Sequence, residues 1–138
     1  MQFSWPIVPP PKSTKGQLFG ANRGRHTGLD MGNGGNTVLA PASGIVRVAT
    51  LTKDSRGRII HIDHEIDAAG VTWQTRYYHL AQSLVRKGDM VSAGQPIAVV
   101  GMSGLPHPWP HLHFEVRRNG IPLDPLYVLP SESVQPGV

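Results

Sequence analysis

Histidine and carboxylate side chains gather at two places in the chain where their spacing suits shared chemistry. The segment PHLHFEV, residues 110–116, sets His111 and His113 one residue apart among alternating apolar residues. On an extended strand, residues two apart point the same way, roughly 6.5–7 Å from each other. His111, His113 and Glu115 then share one face, and Leu112, Phe114 and Val116 share the other. The apolar set anchors such a strand in a core, so the histidine set must line a cavity or meet water. A second cluster, HTGLD, holds His26 and Asp30 four residues apart around Gly28. This stretch is too glycine-rich to be the helix of an HExxH motif. Fully extended, it would separate the two Cα atoms by about 13 Å. The chain must bend for these side chains to meet, and Gly28 both tolerates a bend and lets another backbone approach.

Two histidines and one aspartate supply three nitrogen and oxygen ligands. With the fourth tetrahedral position left to water, that is the complement of a catalytic zinc site. The chain has no cysteine, so no soft thiolate ligand competes for this role. Spacing alone leaves open which of His111 and His113 takes the metal. Taken singly, His79, at the end of the strand TRYYHL, reads as a satisfied structural histidine. His61 and His64, on an alternating strand, read the same way. His107, in a proline-rich loop, reads as solvent-exposed or as the rim of a cleft. Glu115 reads first as a surface or ion-paired residue, and second as a partner for a ligand imidazole.

The elements that must position these groups are short. Gly 16 and Pro 13 in 138 residues punctuate the chain throughout, which predicts an all-β protein with many turns. GRIIHIDHEI alternates, with Ile60, Ile62 and Ile66 on one parity and His61, Asp63 and Glu65 on the other. VTWQTRYYHL is rich in strand formers, PIAVVG reads as a buried strand, and HLHFEVRRNG is a strand closed by an Asn-Gly turn. MSGLPHPWP is a loop, since its prolines forbid regular structure. Helical periodicity extends to one turn at most, near Leu80–Val85. Residues 1–16 read as an irregular proline-rich segment, 17–130 as the main domain, and 131–138 as a flexible tail.

A size of 138 residues suits one domain with a real core. The formal charge of +4 favours an anionic partner. Its basic residues are scattered, without aromatics interleaved on a basic face, so nucleic-acid binding is not expected. No apolar run approaches the roughly 18 residues that span a bilayer, and membrane insertion is not expected either. The opening MQFSWPIVPPPK lacks the pattern of a secretory signal.

Taken together and in order, HTGLD, YYHL and HLHFEV resemble the motifs of the lysostaphin-like zinc endopeptidases, which cut peptidoglycan peptides. The likeness runs from about residue 17 to 129 and includes FGANRGRHTGLDM, VLAPASGIVRVAT, VRKGDMVSAGQPIAVVGMSG and PLDPLYVL. It implies a two-sheet antiparallel β structure with a narrow groove, and one Zn2+ per chain held by His26, Asp30 and His113. It further implies His79 and His111 as catalytic histidines and bacterial peptidoglycan as substrate. His111 is the better candidate for general base because it shares a strand face with His113; His79 would orient the water or stabilise the oxyanion, and the two roles are exchangeable. The approach LPHPWP departs from the small-residue approach usual in that family and crowds this side with Trp109 and prolines. The implied setting is a phage lysin or virion-associated enzyme, or an excised domain of an exported protein. Three rivals remain: a silent adaptor of the same fold, a biotinyl or lipoyl carrier, and a hydrolase of small amides. The carrier would need a modifiable lysine on a hairpin, and none of Lys12, Lys15, Lys53 and Lys87 sits in a Met-Lys-Met-like turn.

Overall fold

The computed structural model of the chain describes residues 2–8 and 18–131. Its strands are β1 (Ile7–Val8), β2 (Leu29–Met31), β3 (Thr37–Leu39), β4 (Gly44–Leu51), β5 (Arg58–His64), β6 (Trp73–Tyr78), β7 (Leu80–Ser83), β8 (Met90–Val91), β9 (Pro96–Val100), β10 (Leu112–Arg118) and β11 (Ile121–Leu123). They form two antiparallel sheets. One runs β1-β3-β9-β7; the other runs β11-β10-β6-β5-β4-β8, with β2 added beside β10. The all-β, two-sheet architecture expected from turn density and from the family resemblance is the one observed.

Between the sheets lies a core built from the apolar parity of each strand. Leu112, Phe114 and Val116 of β10 are fully buried, as are Ile60 and Ile62 of β5 and Tyr77 of β6. Each such side chain contributes roughly 1.5–3 kcal/mol of burial. The opposite parity of β10 is thereby committed to the outer face, which carries His113, Glu115 and Arg117. The β10–β11 hairpin turns through Asn119 and Gly120, both with positive φ. That is the demand of a type I′ turn and the reason for the Asn-Gly pair.

Three local expectations are corrected. Leu80–Ser83 is not a helical turn but strand β7, because Leu80 and Ser83 pair with Val100 and Ala98 of β9. Ile66 does not continue the buried row of β5. The strand ends at His64, and it is His64 that completes this parity, its ring edge-on to Phe3 at 5.0 Å. Within the opening segment expected to be irregular, Phe3, Trp5 and Ile7 are buried, and Ile7–Val8 pairs with β3. Their period of two is that of a strand, which the neighbouring prolines mask in the sequence. The rest of that segment, residues 9–16, and residues 132–138 of the expected tail lie outside the described residues.

Candidate metal centre and active site

Strand register creates the site. β2 runs antiparallel to β10 with Asp30 directly opposite His113, and β6 flanks the other side with Tyr78 opposite His113. Paired residues project to the same face, so Asp30, His113 and Tyr78 form one row across three strands. The Tyr78 ring stacks on the His113 imidazole at 5.0 Å with 15° between planes. Gly28 is where β2 closes on β10. A Cβ there would sit 2.5 Å from the Phe114 carbonyl oxygen and 2.9 Å from the His113 ring. The close backbone approach read from HTGLD is thus the observed use of this glycine. His26, four residues before Asp30, folds back so that its Nε2 lies 3.1 Å from Asp30 Oδ1.

One nitrogen of each of His26, His79, His111 and His113 is pinned by an acceptor. His26 Nδ1–H donates to the Leu18 carbonyl at 2.9 Å. His111 Nδ1–H donates to the Trp109 carbonyl at 3.1 Å, and His79 Nδ1–H to the Ser103 carbonyl at 3.0 Å. His113 Nε2–H donates to Glu115 Oε2 at 2.9 Å. A carbonyl oxygen only accepts, so these contacts set the tautomers of His111 and His79, whereas His26 and His113 meet a second acceptor, Asp30, at their other nitrogen. The remaining nitrogens, Nε2 of His26 and Nδ1 of His113, both meet Asp30 Oδ1, at 3.1 and 3.0 Å. Nε2 of His111 is farther out, 3.6 Å from Asp30 Oδ2.

His26, Asp30 and His113 could therefore hold a metal ion. One ligand atom from each lies within 4.8 Å of the others. Two imidazole nitrogens and a carboxylate oxygen around one zinc ion, at bonds of about 2.0–2.1 Å, would need separations of about 3.3 Å. The donors fit that ion. Without a cation, a proton takes its place. Burial would lower the pKa of His113, but hydrogen bonds to Asp30 and Glu115 outweigh it and raise the pKa to about 9. Burial would likewise raise Asp30, yet the His113 hydrogen bond and the charges of His111 and His26 hold it below the usual carboxylate range.

Behind His113 stands Glu115, only 2% exposed. Thr27 Oγ1–H donates to its Oε2 at 2.7 Å, and Arg117 donates twice to its Oε1, at 2.7 and 2.9 Å. Burial alone would raise this acid; the His113, Thr27 and Arg117 hydrogen bonds instead lower it to about 2. The reading of Glu115 as a surface residue is corrected. It is a buried carboxylate that is ion-paired with Arg117 and also engages Nε2 of His113, the second of the two roles weighed from sequence.

At the corner where the chain leaves one sheet for the other stands His79, between β6 and β7. Its φ is +67°, a left-handed conformation that non-glycine residues visit infrequently, His more than most. Three bonds hold it there: its N–H donates to the Arg56 carbonyl at 2.9 Å, its carbonyl accepts from Gly101 N–H at 3.1 Å, and its ring donates to Ser103. Ser103 is itself clamped, its hydroxyl donating to the Leu80 carbonyl at 2.7 Å and accepting from Arg58 N–H at 2.9 Å. Burial lowers the His79 pKa to about 4, so at neutral pH the ring is uncharged and its Nε2 is an acceptor.

All five residues singled out in the sequence line one open cleft of about 860 Å³. Leu105, Pro106, His107, Trp109 and Pro110 make one wall, while Ser55 and Asn22 also reach the cleft. Ser103 and the left-handed backbone of His79 had no signal in the sequence, since both depend on where two loops meet.

A His–Asp–His cluster that could hold a metal ion, on the outer face of a two-sheet β fold, places the chain in the lysostaphin-like fold class. More narrowly, the chain belongs to peptidase family M23, whose model matches residues 24–125. It is 37% identical over 100 residues to the peptidoglycan DD-endopeptidase ShyA of Vibrio cholerae, covering 72% of this chain and 22% of that protein. It is 36% identical over 115 residues to the murein hydrolase activator NlpD of Escherichia coli, covering 83% of this chain and 28% of that one. A crystal structure of a zinc-containing peptidase from Vibrio cholerae matches with a TM-score of 0.74 and 30% identity, over 90% of this chain and 39% of that chain. The chain thus spans less than a third of either curated relative's length. These relatives support a cell-wall-related function. The phage-lysin setting draws no support from them.

Proposed function

We propose that this chain is an active zinc-dependent endopeptidase of bacterial peptidoglycan peptides, with residues 17–130 as its catalytic domain. His26, Asp30 and His113 are the proposed zinc ligands, and His79 and His111 the catalytic histidines. One observation carries the reading: one ring nitrogen of each of these four histidines is engaged by a protein oxygen, and the other nitrogens of His26, His111 and His113 converge on Asp30. When bound, zinc supplies Lewis acidity and an acidified water at neutral pH.

The chain's own groups do the rest. His79 Nε2, uncharged and accepting, orients the attacking water. His111, whose Nε2 lies beside Asp30, takes the proton and returns it to the leaving amine. Asp30 and the Leu18 and Glu115 acceptors keep the ligand imidazoles turned inward. The open cleft gives an extended peptide room to cross the site.

A silent adaptor is the second reading, favoured by the likeness to NlpD, a murein hydrolase activator. Against it stands the presence in this chain of all five residues that the resemblance implies. The test is mass spectrometry of muropeptides from purified cell wall, with and without chelator. Cleaved cross-links that vanish with chelator support the enzyme; an unchanged wall with zinc-loaded protein overturns it. His113→Ala is expected to lose zinc and turnover, and His111→Ala to keep zinc and lose turnover. Loss of zinc from His111→Ala would overturn that division of roles.

A further inference from the structure

Trp109 is 69% exposed at the cleft, whereas Trp5 and Trp73 are 6% exposed in the core. Its loop is stiff. Pro106, Pro108 and Pro110 fix their own φ and restrict the residue before each, so His107 and Trp109 are both held extended. The His107 ring packs against the indole, with centroids 4.7 Å apart and 33° between planes, and lies 6.1 Å from His111 at 26°. His107 Nδ1 is buried without a hydrogen-bond partner, so no hydrogen bond at that atom anchors the ring. The result is a flat, exposed apolar surface on a proline-stiffened backbone, joined through His107 to His111.

Nothing assigned to the metal centre uses this surface. If the substrate is peptidoglycan, its peptides offer methyl groups, carboxylates and amines; an ammonium can sit over an indole by cation–π attraction, but none of these groups is a flat apolar face of the indole's size. The sugars offer one: the C–H face of a pyranose is flat, apolar and of matching size. Reach agrees as well. Steps of 4.7 and 6.1 Å put the indole within about 11 Å of His111, about three extended residues at roughly 3.5 Å each. That is the order of length of the stem joining a cross-link to its glycan strand.

We infer that Trp109, backed by His107, is a specificity-determining residue that stacks a pyranose ring of the glycan attached to the peptide being cut. This rests on the proposed peptidoglycan activity, and the test separates the two. Initial rates are compared on cross-linked disaccharide-peptides and on the same cross-linked peptides stripped of sugar by an amidase. The wild type should favour the sugar-bearing form by about three- to tenfold in kcat/KM, the size of effect that burying one or two methylenes' worth of apolar surface gives. In Trp109→Ala that ratio should fall to about one, and Trp109→Phe should restore most of it. A wild-type ratio of one, or a ratio that Trp109→Ala leaves intact, overturns the inference. If the protein cuts neither substrate, the activity proposal fails and fluorescence decides. A GlcNAc–MurNAc tetrasaccharide should then quench indole emission saturably in the wild type and not in Trp109→Ala. Quenching that is absent, or that survives in Trp109→Ala, overturns the inference.

Discussion

Glu115 accepts the Nε2 proton of His113 at 2.9 Å, and Thr27 and Arg117 close around the same carboxylate. This contact, two residues along one strand face, commits Nε2 of His113 to Glu115 and turns Nδ1 toward Asp30. Glu115→Gln keeps the shape but lets the amide donate as well as accept, so Nε2 of His113 is no longer committed to an acceptor. Zinc affinity should fall about 10–100-fold, read by competition with a chromophoric chelator. Unchanged affinity in a folded variant would show that Glu115 does not orient the ligand.

Ser103 is the corresponding clamp for His79. Removing its hydroxyl in Ser103→Ala orphans Arg58 N–H and the Leu80 carbonyl, costing about 1–3 kcal/mol. It also loosens the carbonyl that fixes the His79 ring. The expected result is a lowered kcat with zinc content intact, because none of the three proposed ligands contacts this hydroxyl. Equal kcat in variant and wild type would remove His79 positioning from the account.

Metal binding should be coupled to one proton. His113 in the metal-free site has its pKa raised to about 9, since its gains from Asp30 and Glu115 outweigh burial. Below that pH, zinc must displace the proton from Nδ1. Apparent affinity should fall about tenfold per pH unit between 8 and 6, with about one proton released per ion at pH 7. Calorimetry in two buffers of different ionisation enthalpy measures that number. A value near zero would mean that His113 is not a ligand.

His61 gives the fold an acid-side weakness. Burial, and then the charges of Arg76 and Arg56, lower its pKa to about 4, and its Nε2 is buried without a hydrogen-bond partner. The unfolded chain takes up a proton near pH 6.5, and the folded chain does not until about pH 4. Stability is therefore unaffected above the first value, falls as pH drops between the two, and levels off below the second, by up to about 3 kcal/mol. His61→Gln should flatten this part of the profile. Urea midpoints at pH 7 and pH 4.5 for both proteins check it, and identical slopes would refute the assignment.

The parity of PHLHFEV determined, without any coordinates, which side of β10 is core and which is polar. A strand has period two, and one fully apolar set leaves the other set no alternative. Gly28 was legible for a similar reason, since HTGLD can bring His26 to Asp30 only through a residue that permits a bend and a close neighbour. The motif order carried the family. The opening strand is masked because Pro6 interrupts its period-two residues, Phe3, Trp5 and Ile7, and three further prolines follow at 9–11.

What only the tertiary structure decided is which atoms face each other. His111 and His113 are equivalent by spacing; the register that sets Asp30 opposite His113, with Glu115 behind it, distinguishes them. Sequence periodicity reports which face a side chain takes, because that follows from backbone geometry one residue at a time. Tautomer, clamp and corner depend on acceptors from strands and loops up to 88 residues apart, as in the Thr27–Glu115 bond. Such long-range partners leave no local pattern to read.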